Sequence, residues 1–265
     1  MYSAAPAPLQ NAARLDELDV SLVPPPYLAF EPLRDPRRAT RASMPAGTLV
    51  ALRVQCPRTS WEALARDVLW VRGAFCFAPV ILRLDPGWEL DRLVSLARCA
   101  GTLGVRGVVV SDQRLLDTLR ATLPRPVALG PDVREWLAAR DPRCSPRVRD
   151  LIGHIFAVAP ECSELKDLLA PMALPVSTAR AQCQKKGLPA PGAWLRVARA
   201  LHAALRLQAD PTASVERVAF ELGYADHSAL SRQMRDCFGL RPSAARKILG
   251  WEWLLDEWLR QQSLS

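Results

Sequence analysis

Five polar side chains between positions 227 and 235 could act together: His227, Ser228, Ser231, Arg232 and Arg235. Spaced three and four apart, they share the outer face of any helix drawn through them. An arginine fork can bond a guanine edge in bidentate fashion or neutralise a phosphate, and serine and histidine can donate or accept at base edges. The chemistry these types support is reading a DNA duplex. An ordinary helical hairpin with a polar surface fits the same spacing.

The flanking residues supply what must hold that face. Val215, Val218, Ala219 and Leu222 recur at helical spacing and predict an amphipathic helix over 214–222. Gly223 stops it, because glycine enters the left-handed conformation cheaply. Asp226 can cap a second helix, whose apolar stripe is Leu230, Met234 and Phe238. Gly239 ends that helix and Pro242 suits the first turn of another. Two short helices with a tight turn place the second across the first and leave its polar face outside.

Val218-Ala219, Leu222-Gly223-Tyr224, Asp226, Ser228, Leu230-Ser231-Arg232, Phe238-Gly239, Pro242 and Arg246 stand at offsets that closely resemble the second helix-turn-helix of the AraC/XylS family of bacterial transcription regulators. The departures are Leu230 and Met234, where that family usually has phenylalanine, Arg241, where it often has serine, and Ala245, where it often has an aromatic. They concern packing and capping more than the DNA-facing positions. The resemblance implies that Arg232, His227 and Ser231 read bases while Arg235, Arg246 and Lys247 position phosphate.

An earlier pair can be read over 161–187: Leu165, Leu168 and Leu169 on a first helix, Leu174-Pro175 at the turn, and a second helix from Val176 to Lys186. Its outward face holds Val176, Ser177, Arg180 and Gln184, with Lys185 near phosphate; a plain helical hairpin fits these residues too. Trp194, Leu195, Val197, Ala198, Leu201, Ala204 and Leu205 then mark a long helix from Pro191 to about Gln208, where the AraC-like arrangement has its connector. Ala179 and Cys183 replace larger apolar residues usual in the family, and Ala181 stands where a basic residue is common.

Charge follows the same division. The 265 residues carry a net charge of +8, and residues 172–250 hold twelve Lys/Arg against five Asp/Glu. Nearly all the excess lies in the proposed DNA-binding half. Only four of the 35 basic residues are lysines, which with the Ala, Pro and Leu bias points to a G+C-rich genome.

Ahead of that half, residues 1–46 are dense in proline, with arginines at 34, 37, 38 and 41, and read as a largely disordered arm with a short helix around Asn11 to Leu18. Residues 47–141 alternate strands and helices. Strands are expected at 48–55, 79–85, 105–112 and 126–129, and helices at 60–71, 88–100, 115–122 and 132–139. The layout resembles a response-regulator receiver domain without its chemistry: strand one ends in Gln55-Cys56-Pro57, strand four in Leu129-Gly130, and Asp85 stands alone. Asp85 and Ser111-Asp112 fall where such sheets bind ligands, but a lone aspartate after a strand, as Asp85 is, more often serves a turn or helix cap. Residues 142–160 read as a linker helix bearing His154, with a domain boundary at Pro142 to Pro146. Residues 251–265 read as an amphipathic helix with Trp251, Leu254, Leu255, Trp258 and Leu259 on one side.

The expected fold is therefore an α/β N-terminal domain, with a small and mainly parallel sheet, plus an all-α C-terminal domain, 161–250, with two helix-turn-helix subdomains joined by a long helix. Seven cysteines show no CxxC and no zinc spacing, the three histidines lie far apart, and neither GxGxxG nor GxxxxGK[ST] occurs. We expect no enzyme, metal or cofactor. No apolar run reaches about eighteen residues, and the N-terminal stretch lacks the charge and apolar block of a secretory signal, so a cytoplasmic protein is expected. The partners expected are double-stranded DNA, a second copy through the α/β domain or linker helix, and RNA polymerase. A protein-binding adaptor that keeps the helix-turn-helix as scaffold is the alternative.

Overall fold

The computed structural model of the chain describes residues 18–33, 35, 39–55, 60–85, 87–110, 114–141, 144–162 and 164–264. They form two compact units that share the chain unevenly. The described residues up to Leu123 belong with Lys247–Trp253, and Pro124–Arg246 belongs with the stretch from Leu254.

The first unit is built on a sheet of β1 (Val20–Val23), β2 (Glu31–Pro32), β3 (Leu49–Val54), β4 (Val80–Leu84) and β5 (Gly107–Val109), in the order β2-β1-β3-β4-β5. β3, β4 and β5 run parallel, and β1 is antiparallel to both of its neighbours. Strand alternation sorts the core into two layers. Val50, Leu52 and Val54 face α1 (Trp61–Ala74) and α2 (Leu90–Thr102), whereas Leu49, Ala51 and Ile81 face α3 (Leu115–Thr122). The parallel strands follow in sequence order, so right-handed crossovers put both α1 and α2 on one face. A doubly wound sheet reverses its strand order at a switch point. Here the parallel strands never reverse, and the receiver-like topology expected from the sequence is replaced by a mixed sheet.

Three further expectations are corrected in this half. The arm over 1–46 is not disordered where it is described: β1 and β2 add two strands to the sheet, Pro24 follows β1, and Pro32 lies on the edge strand, where a missing N–H costs no ladder bond. The helix around Asn11 and the arginines at 34, 37 and 38 lie outside the described residues, as do Cys56 and Ser111-Asp112. The expected fourth strand at 126–129 is a 3-10 turn at Pro126–Ala128 running into a helix, because Pro126 opens a helical run in which Leu129, Val133, Trp136 and Leu137 are all buried. Asp85 is occupied structurally, with Arg53 bonding its carboxylate at 2.7 Å and Asp19 at 3.2 Å.

A short return of the chain completes this unit. The hydroxyl of buried Tyr27 donates to the Gly47 carbonyl at 3.0 Å and accepts from the Leu249 N–H at 2.8 Å. Leu249 joins the core layer under α3. Glu252 and Arg106 form a buried ion pair at 3.1 Å, and the Trp251 N–H bonds the same carboxylate. Residues 247–250, assigned by sequence to the DNA-binding half, thus pack with the sheet.

The second unit contains α4 (Leu129–Arg140), α5 (Pro146–Val158), α6 (Leu165–Leu169), α7 (Val176–Lys185), α8 (Pro191–Ala209), α9 (Val215–Glu221), α10 (His227–Phe238), α11 (Pro242–Ala245) and most of α12 (Glu252–Leu264). It begins at Pro124, so the boundary expected at Pro142 to Pro146 is moved and α4 leaves the sheet domain. α4 and α5 cross closely: a Cβ on Gly130 would stand 2.7 Å from the Gly153 carbonyl oxygen. α5 is no free linker either. Val148, Leu151, Ile152, Ile155 and Phe156 are buried against α4 and α8, which consumes the stripe that a second copy could have covered. Trp194 of α8 meets Phe156 and, from the C-terminal helix, Trp258 edge-on. Arg140 and Asp256 form an ion pair that ties α12 to α4. The ring of His202 donates to the Phe156 carbonyl at 2.7 Å, and burial lowers its pKa below 6.5. No helix of the described residues is long and apolar enough to cross a membrane.

Candidate nucleic-acid interface

The region from Ser214 to Ala245 forms as its punctuation dictates. The Ser214 hydroxyl accepts from the Arg217 N–H at 3.0 Å and starts α9. Gly223 adopts φ +69°, and the Tyr224 N–H returns to the Ala219 carbonyl at 2.9 Å, which closes the turn. The Asp226 carboxylate accepts from the Ala229 N–H at 2.7 Å and caps α10. Leu230, Met234, Cys237 and Phe238 bury the inner stripe of α10. Pro242 opens α11.

Burying that stripe fixes which side chains are left outside. His227, Ser228, Arg232 and Arg235 are exposed and Ser231 is half-buried. Among the described residues no ion pair engages Arg232 or Arg235. On α7, Ser177, Arg180, Gln184 and Lys185 are likewise exposed while Ala179 and Cys183 are buried. Arg180 and Lys185 also form no ion pair among the described residues. At these eight positions and Ser231 the two helices thus present neither acid nor apolar bulk, only donors and acceptors.

Other cations of the same unit are spent on framework. Arg206 bonds Glu221 at 2.6 Å, joining α8 to α9. Arg217 pairs with Asp210 and reaches Glu221 at 3.7 Å. The hydroxyl and N–H of Thr212, then Arg217, bring the Asp210 carboxyl down to about 2. Arg246 donates to the carbonyls of Pro211 and Ala213, so it clamps the loop between α8 and α9. Two backbone carbonyls thus give a structural role to a guanidinium that the sequence assigns to phosphate. Lys247 is exposed and belongs to the return segment of the other unit.

Residues 169–248 match the family model of a helix-turn-helix domain. The match supports an AraC-like DNA-binding domain and, with it, a part in transcription regulation. It covers α7 to α11 and, apart from Lys247 and Ile248, leaves the sheet unit outside. No curated protein and no solved structure matches the chain.

Sequence reasoning missed Arg199 and Gln233. The Arg199 guanidinium donates to the Leu222 carbonyl at 2.6 Å and lies 4.8 Å over the Tyr224 ring. The Gln233 amide donates to the Arg196 carbonyl at 2.6 Å. A charged residue between Ala198 and Ala200, inside an apolar helical stretch, was the available signal. Gln233 carried none, because its partner lies 37 positions away. The cysteines behave as packing: burial pushes Cys183 up to about 11 and Cys237 up to about 12.

Proposed function

We propose that the chain is a sequence-specific transcription regulator that inserts α10 and α7 into successive major grooves. The observation that carries this is the sorting of cations: within residues that match a helix-turn-helix domain, the arginines facing inward are bonded to backbone or carboxylate, and Arg232 and Arg235 on α10 are not. Arg232, His227 and Ser231 read bases, Ser228 assists at the helix start, and Arg235 neutralises phosphate. Ser177, Arg180 and Gln184 take the reading role on α7, with Lys185 on phosphate. α8 has 19 residues and is about 28 Å long, which suits two recognition helices about one DNA turn, about 34 Å, apart.

Selection of bound duplexes from a random pool by the full chain tests the reading. Two enriched blocks about one turn apart are expected; one block would restrict readout to α10, and no enrichment would favour the adaptor. On the selected site, Arg232→Ala should weaken binding by about 1–3 kcal/mol and relax the sequence preference, while Arg235→Ala should weaken all duplexes alike and lower the salt slope by about one. Identical behaviour of the two variants would refute the division.

A further inference from the structure

Arg199 stands in the middle of α8, where Trp194, Leu195, Val197, Ala198, Ala200 and Leu201 are buried. Its Nη2 donates to the carbonyls of Leu222, at 2.6 Å, and Gly223, at 3.4 Å. These carbonyls lie at the C-terminal end of α9, where helix geometry leaves acceptors unpaired and the macrodipole favours a cation. The same guanidinium lies over the ring of Tyr224, so one planar group touches three consecutive residues of the turn that leads into α10. One turn earlier on α8, the Arg196 carbonyl accepts from Gln233, on α10 itself and adjacent to Arg232.

We infer that Arg199, with Gln233, is a positioning residue for DNA recognition: it sets the turn at 222–224 and so the angle at which α10 presents His227 and Arg232. The inference rests on the reading of α10 as a recognition helix. A lysine at position 199 would keep the charge but lose the planar fork that bonds carbonyls and stacks on the ring together. Charge alone therefore does not reproduce the role. Because the Arg199 Nη2 donates to protein carbonyls and its Nε is buried, its loss should leave the count of phosphate contacts unchanged.

The test compares the full-length wild type with Arg199→Lys and Gln233→Met on the selected duplex and on an unrelated duplex, over a range of salt, with melting followed to confirm folding. For Arg199→Lys the ratio of the two affinities should fall about tenfold, with binding to the unrelated duplex and the salt slope unchanged. Gln233→Met should show the same signature at about threefold, and it carries the test if the lysine variant does not fold. A salt slope lowered by about one, with both duplexes weakened alike, would make Arg199 a phosphate contact and overturn the inference. So would an unchanged ratio in folded variants. A wild type that fails to distinguish the duplexes removes the recognition-helix reading as well, whereas a selective wild type with equally selective variants removes only the positioning role.

Discussion

The pairs α6–α7 and α9–α10 hang from the same long helix but are held by different means. α10 is capped by Asp226, α9 by Ser214, and the turn between them is gripped by Arg199. α7 follows Pro175 with no side-chain cap, and small residues, Ala179 and Cys183, form its buried face. At α6 the His154 ring bonds the Leu168 carbonyl at 3.0 Å. Polar anchors fix direction, whereas small apolar contacts fix mainly distance. Of two helices on one scaffold, α10 is aimed by hydrogen bonds and α7 is seated by packing.

The largest expected break in this contrast is Leu230→Ala. It removes a fully buried side chain from the stripe of α10 and should cost about 3 kcal/mol in denaturant unfolding, against about 1 kcal/mol for Cys183→Ala on α7. A cost at Cys183 equal to that at Leu230 would erase the difference in seating.

A second, intermediate effect should strike both pairs through α8. His202 has a folded-state pKa below its unfolded value of 6.5, so above that pH neither state holds the proton. As pH falls below about 6.5 the unfolded chain takes up a proton first, and stability is lost by at most about 1.4 kcal/mol per pH unit until the folded state titrates. Melting temperatures from pH 7.5 down to 5.5 should fall in the wild type and fall less in His202→Gln. The smallest effect sharpens the contrast: Asp226→Ala should destabilise by about 1 kcal/mol through the lost cap, and α7 has no corresponding bond to lose. Hydrogen exchange at the start of α10 would register it.

The α9–α10 pair was legible because its markers act locally. Ser214, Gly223, Asp226 and Gly239 each make or permit a bond within a few residues, and the sequence shows both ends of it. The loop clamp made by Arg246 was not legible because its partners, Pro211 and Ala213, are reached across more than thirty positions. The sheet was half legible for a related reason. β3, β4 and β5 announce themselves by apolar runs, but proline density hid β1 and β2, whose place on the sheet depends on β3. The apolar spacing of 129–137 was split between a strand and a helix, although it serves one helix.

The return of Lys247–Trp253 to the sheet unit has a consequence for synthesis. A ribosome releases the strands of that unit long before Leu249 and Glu252, so Tyr27 and Arg106 wait for these two partners through the making of the entire helix-turn-helix region. The sheet is translated before the helix-turn-helix region and completed after it. Any expression fragment that stops before Leu249 would leave a buried arginine without the Glu252 carboxylate and a gap beneath α3, however intact its own sequence.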